Sequence, residues 1–210
     1  MENEFENTGR EDTTRGKMKI VRGIDLDEVL VNFVPHFLDY VQPIIGKMVY
    51  TDELKSYNFW EHGVGKDREE AVNLVDGFFE SGLARALSVT DGAQEAVRDF
   101  LEEGEVFVVT ARPWRYSRET NYLIKKNFPG LEGRIIYSSD FHGGEKTKSE
   151  ICTEIGAIYF YEDNIRYAKE CARNVKNVYL FDRPWNQEAV NGNIIRVKGW
   201  RDILRRENES

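Results

Sequence analysis

The chain has 210 residues, 40% of them hydrophobic and 31% charged, with a formal net charge of −8. That length supports one substantial core with room for an inserted subdomain, and the acidic balance disfavours tracking of nucleic-acid backbones or anionic membranes, which needs clustered positive charge. The expected partners are small molecules, with no nucleic-acid polymer and no membrane, and a homodimer is left open.

Residues 1–17 lack the apolar core of a signal peptide and are too polar to bury much, so a disordered tail is expected there, and a second short tail at 205–210. No apolar run approaches the ~20 residues of a membrane-spanning helix. Two cysteines, Cys152 and Cys171, are too few for a disulfide scaffold or a zinc site. A reduced, buried role in a cytoplasmic protein is the natural reading.

Apolar, β-branched runs predict strands at 19–26, 106–111, 134–139, 157–161, 177–181 and 194–197. Helix-like segments at 91–103, 115–127, 148–155 and 164–174 fall between them, the first with Asp91 as its N-cap. This alternation predicts an α/β fold, a doubly wound parallel sheet. The core should comprise 18–30 and 88–204. Between the first two strands, 31–87 reads as an insertion with helical patches at 35–45 and 68–80 around the aromatic loop Tyr57-Asn58-Phe59-Trp60. Leaving from the carboxyl end of a strand, it should overhang the ligand crevice of such a sheet as a small helical cap. The run Trp200-Arg-Asp-Ile-Leu-Arg-Arg predicts an amphipathic helix with a solvated basic face.

Polar residues gather where the strands end. The first strand runs into GIDLDEVL, with Asp25 and Asp27; the second, VFVVTAR, ends on Thr110, Ala111 and Arg112. Lys146 and Lys148 follow the third, and the fourth runs into YEDN, with Glu162 and Asp163. Strand ends of a parallel sheet share one crevice, so these groups should converge. Two carboxylates held that close need a compensating cation or proton. Hard carboxylate oxygens suit Mg²⁺, a hydroxyl and an ammonium suit phosphate oxygens, and a carboxylate can itself be the nucleophile.

These four motifs, in this order and each at a strand end, resemble the haloacid dehalogenase-like phosphatases over most of 18–200. The resemblance implies Asp25 as nucleophile and Mg²⁺ ligand, and Asp27 as acid/base whose backbone carbonyl also meets the metal. It further implies Thr110 as phosphate ligand, Lys148 as charge stabiliser and Asp163 as the completing metal ligand. Lys148 is preferred to Lys146 because it opens the KSEIC helix pattern. Ala111 and Arg112 are further phosphate-site candidates, with Arg112 as a second clamp, and Glu162 is either a ligand or a supporting group. The layout is most similar to the deoxyribonucleotidase and 5′-nucleotidase group, although Glu28 stands where that group usually has glycine. Among the cap aromatics Phe33 and Trp60 are candidates to stack a nucleobase, with core packing as the alternative. The expected activity is therefore a Mg²⁺-dependent phosphomonoesterase acting on a small ester such as a (deoxy)nucleoside monophosphate. A sugar phosphatase and a non-catalytic phospho-receiver are the other readings.

Overall fold

A computed structural model describes residues 19–138 and 146–208. The expected tail at 1–17, His142 and Ser139 at the end of the third expected strand lie outside the described residues. Among the described residues six strands form one sheet: β1 (Ile20–Ile24), β2 (Gly104–Thr110), β3 (Ile135–Tyr137), β4 (Tyr159–Glu162), β5 (Asn177–Phe181) and β6 (Ile194–Val197). Every pairing is parallel and the spatial order is β3-β2-β1-β4-β5-β6, a doubly wound sheet as expected. Seven α-helices among the described residues accompany it: α1 (Phe33–Ile45), α2 (Arg68–Glu80), α3 (Ala93–Glu103), α4 (Ser117–Asn127), α5 (Lys148–Glu154), α6 (Ile165–Cys171) and α7 (Trp200–Asn208).

Successive residues of the central strands are buried because helices cover both faces of the sheet. Alternate residues accordingly sort into two apolar clusters. Val108, Tyr161, Tyr179 and Phe181 pack with residues of α3, α7 and the inserted segment, while Val109, Phe160, Val178 and Leu180 pack with Ile151, Cys152, Ala168 and Cys171 of α5 and α6. Cys152 and Cys171 are both buried free thiols. At the start of β2 the backbones of β1 and β2 leave no room for a side chain: a Cβ on Gly104 would lie 1.9 Å from the Ile20 carbonyl oxygen.

Two local expectations are corrected. Asp91 does not cap α3; the cap is Gly92, at φ 80°, and the Asp91 carboxylate instead accepts from Arg201 Nε at 3.2 Å. A long-range guanidinium has taken the side chain that local capping chemistry would have used. The C-terminal helix also runs to Asn208, past the expected start of a tail at 205. It is anchored by Trp200, fully buried against Phe100, Tyr161 and Phe181, with its indole N–H donating to Val29 O at 2.8 Å. Arg205 and Arg206 are exposed, as an amphipathic helix requires.

After β1 the chain turns tightly and leaves the sheet, and its departing and returning segments are tied together by an isolated antiparallel bridge between Val31 and Val89. Asn32 N–H donates to Ser88 O at 2.9 Å and Thr90 N–H to Leu30 O at 3.0 Å. Between these ties, α1 and α2 close over an aromatic cluster in which Phe37 lies 5.3 Å from Phe33 and 4.8 Å from Phe59. This segment packs against the turn between β2 and α4 through Phe79, stacked on Tyr116 with ring centroids 4.1 Å apart, and through Asp76, which accepts from Arg115 Nη2 at 2.6 Å and from the Tyr116 hydroxyl.

Candidate active site

β1 and β4 are neighbours at the point where strand order reverses, and the crevice beyond their carboxyl ends is where such sheets bind ligands. Asp25 directly follows β1, Glu162 closes β4 and Asp163 follows it, while Asp25 N–H donates to Tyr161 O at 2.9 Å. The parallel register thus brings residues over a hundred positions apart to one spot. Ligand atoms of Asp25, Glu162 and Asp163 all lie within 4.8 Å of one another, and all three residues are buried.

One ammonium serves this cluster. Lys148 is 1% exposed, and its Nζ lies 2.8 Å from Asp25 Oδ1 and 2.8 Å from Glu162 Oε2. It stands at the first position of α5, where a reciprocal cap between Thr147 and Glu150 fixes the helix start. Lys146 is half exposed and pairs with Glu154 at 2.7 Å, so Lys148 is the lysine that reaches the cluster. Glu162 is held at both ends: Oε2 takes Lys148, while Oε1 accepts the backbone N–H groups of Asp163 at 3.1 Å and Asn164 at 2.9 Å. It therefore acts as the brace for Lys148 and the β4–α6 turn.

Burial raises all three acids. Asp25 is pushed up to about 7, mainly by desolvation and further by Glu162 and Asp27, with Lys148 opposing. Glu162 is likewise raised to about 7 by burial, against Lys148. Asp163 rises to about 8 through burial and the charges of Asp25 and Glu28. Burial works against the charge on Lys148 too, but Asp25 and Glu162 outweigh it and hold the ammonium well above its usual range. Three crowded carboxylates sharing one ammonium form a donor set short of positive charge, and hard oxygens of this kind fit a divalent cation such as Mg²⁺.

Thr110, at the end of β2, is 1% exposed, and its Oγ1 accepts Arg112 N–H at 3.2 Å, which leaves the hydroxyl proton for a ligand. Arg112 is 4% exposed and donates Nε to Asp27 Oδ2 at 2.8 Å and Nη2 to Asp27 Oδ1 at 2.6 Å. Its Nη1 donates to Thr120 Oγ1 at 3.2 Å. The side chain expected as a second phosphate clamp thus grips the other carboxylate of the DxD pair.

Asp25, Asp27, Thr110, Ala111, Arg112, Lys148 and Asp163 all line a single cavity of about 550 Å³, together with Glu162. Phe33, Tyr57, Trp60 and Phe79 of the inserted segment face the same space. Phe33 is nonetheless 5% exposed and packed against Phe37 and Phe79, whereas Trp60 is only partly buried.

Several residues here escape sequence reasoning. Trp185 donates its indole N–H to Asp163 Oδ2 at 2.8 Å, and Asn186 Nδ2 bonds both Asp163 O and, at 2.7 Å, Phe181 O. The signal was present as DRPWN directly after β5, another strand end. Glu28, at φ 61°, has a left-handed backbone that L residues adopt at a cost. Its Oε1 accepts Val34 N–H at 2.5 Å, capping α1 where Asn32 makes no side-chain cap, and Arg183 Nη2 donates to its carbonyl at 2.6 Å. Burial lifts Glu28 to about 7. A glycine there would relieve the backbone and remove the cap.

This architecture is the fold of the haloacid dehalogenase-like hydrolases. The chain is similar to a hydrolase of that family from Streptococcus pneumoniae at TM-score 0.65, with 10% identity over 90% of this chain and 98% of that one. A family hydrolase from Deinococcus radiodurans, solved with bound phosphate and sodium, superposes at TM-score 0.64 with 11% identity over 91% and 96% of the two chains. A hydrolase of the same type from Bacillus subtilis, solved bound to magnesium, gives 0.62 at 10% identity over 91% and 100%. In sequence the chain is 31% identical over 103 residues to a nucleotidase of Clostridium acetobutylicum, a match that spans 49% of this chain and 50% of that protein. No protein-family model matches the chain.

Proposed function

We propose that the protein is a Mg²⁺-dependent phosphomonoesterase that works through a phosphorylated Asp25, with nucleoside monophosphates as the favoured substrate class. The observation that carries this reading is the buried set Asp25, Glu162, Asp163 and Lys148 at the switch point, opening into a cavity shared with Asp27 and Thr110. Asp25, Asp163 and the backbone carbonyl of Asp27 would hold Mg²⁺, which when bound offsets the carboxylate charge and screens the phosphate from it.

The Asp25 carboxylate attacks phosphorus and the ester P–O bond breaks, while Asp27 passes a proton to the departing oxygen. Asp27 then takes a proton from water, whose oxygen attacks phosphorus; the bond to Asp25 breaks, regenerating its carboxylate and releasing inorganic phosphate. Lys148, held by Glu162, and the Thr110 hydroxyl face the charge that builds on the phosphoryl oxygens. An Asp25 engaged in a covalent bond cannot also activate water, which is why the second aspartate is needed.

Substrate choice falls to the residues above this generic centre. The aromatic lining from the inserted segment suits a flat, partly apolar leaving group better than a polyol, and a cavity of this size suits a small ester better than a polymer. The nucleotidase match points the same way. A panel of nucleoside monophosphates and sugar phosphates, assayed with Mg²⁺, tests the reading. Phe33→Ala or Trp60→Ala should lower kcat/KM for nucleotides more than for a small phosphate ester. Preference for sugar phosphates would discard the nucleotide assignment, and failure to hydrolyse any monoester would discard the enzyme.

A further inference from the structure

Arg112 carries a burden that the phosphatase chemistry above leaves unassigned. Its guanidinium is buried, so it must be partnered, and three of its five N–H groups go to Asp27 and Thr120. The pairing with Asp27 is bidentate, one N–H to each carboxylate oxygen, which constrains the orientation of the carboxylate as well as its position. Lysine, a point charge, can attract the carboxylate but fixes its orientation less well. On the other side, the guanidinium lies over the Phe79 ring, 5.0 Å from its centroid. Phe79 belongs to α2 of the inserted segment and stacks on Tyr116. Arg112 is therefore the joint at which that segment and the proton-transferring aspartate meet, residues 52 positions apart from one another in sequence and both touching one side chain.

We propose that Arg112 is a positioning residue: it holds the Asp27 carboxylate in the plane that faces the leaving oxygen, and the cap ring Phe79 holds Arg112. This rests on the phosphatase reading and assigns a role that a phosphate clamp would not have. A positioned acid matters in proportion to how badly the leaving group needs a proton. An aryl oxide departs as a stable anion, whereas an alkoxide must be protonated as it leaves. Because kcat/KM reports the steps up to departure of the leaving group, the two ester classes separate orientation of Asp27 from binding of phosphate.

The experiment measures kcat/KM for p-nitrophenyl phosphate and for the ring-free alkyl monoester that the parent protein turns over best, so that loss of stacking on the cap rings does not mimic loss of acid positioning, together with the inhibition constant of inorganic phosphate. Variants are Arg112→Met, Arg112→Lys and Phe79→Leu. Arg112→Met should lose at least about 10-fold more on the alkyl ester than on the aryl ester, a fraction of the ~10²–10⁴ that acid–base catalysis supplies, with phosphate inhibition unchanged. Arg112→Lys should recover part of the selective loss, and Phe79→Leu should show it more weakly. Phe79→Leu alone decides the matter if the Arg112 variants do not fold. Equal losses on both esters with weakened phosphate inhibition would make Arg112 a phosphate ligand and overturn the proposal, as would no change on either ester. Hydrolysis of neither ester by the parent would remove the phosphatase reading, and this inference with it.

Discussion

Replacing Lys148 by methionine keeps most of the side-chain volume and deletes the ammonium between Asp25 and Glu162. Three carboxylates would then share a buried site with ligand atoms within 4.8 Å of one another and no cation among them. Two unit charges at that spacing repel by about 3–4 kcal/mol at an effective dielectric of about 20. Summed over three pairs this exceeds the cost of taking up protons, so the acids neutralise instead. That cost grows by about 1.4 kcal/mol per pH unit above the unfolded carboxylate value near 4, so one forced protonation costs about 5 kcal/mol at about pH 8 and about 1–2 kcal/mol at about pH 5. The figure at the higher pH agrees with the ~3–5 kcal/mol typical of breaking a buried ion pair from one side. For a chain of this size, about 2–4 °C of Tm per kcal/mol gives a fall of roughly 6–20 °C at about pH 8 and only a few degrees at about pH 5. Thermal unfolding of the metal-free parent and variant at both pH values measures it, with Glu162→Gln added to the variant to recover part of the loss. A Lys148→Met protein as stable as the parent at the higher pH would show that Lys148 does not neutralise this cluster.

Asp25→Asn should abolish turnover while leaving the fold intact, because an amide is not a competent nucleophile; Asp27→Asn should lose about 10²–10⁴-fold through proton transfer. Steady-state assays with Mg²⁺ check both, and near-parental rates would overturn these roles. Asp25, Glu162 and Asp163 sit at about 7, 7 and 8 in the fold, above their unfolded values, so they bind more protons folded than unfolded. Their stabilising contribution is fully present below about pH 4 and is lost as pH rises through 7 to 8. Mg²⁺ should accordingly raise Tm more at about pH 8 than at about pH 5, since it competes with protons for the same oxygens; a pH-independent Mg²⁺ effect would place the ion elsewhere. Trp185→Phe removes the indole N–H from Asp163, and Mg²⁺ titration should show affinity weakened by about 10–100-fold.

Much of this protein is legible in its sequence. Long apolar runs report strands buried on both faces, so all six appear where they are expected, with bounds shifted by a few residues. The polar residues that interrupt those runs at their carboxyl ends report the crevice, because the parallel register alone brings Asp25, Thr110 and Glu162 to one edge of the sheet. What the sequence could not settle is where long polar side chains go once they arrive. Arg112 reaches Asp27, 85 positions away, and Trp185 reaches Asp163 from the next strand connection. Asp91 abandons the helix it adjoins for Arg201. Glu28 accepts a left-handed backbone so that its carboxylate can cap α1. Strand formation depends on a local pattern that every window of sequence carries. The choice of partner for a buried charge depends on which opposite charge the completed fold brings within reach, and on the high cost of leaving either one alone out of water.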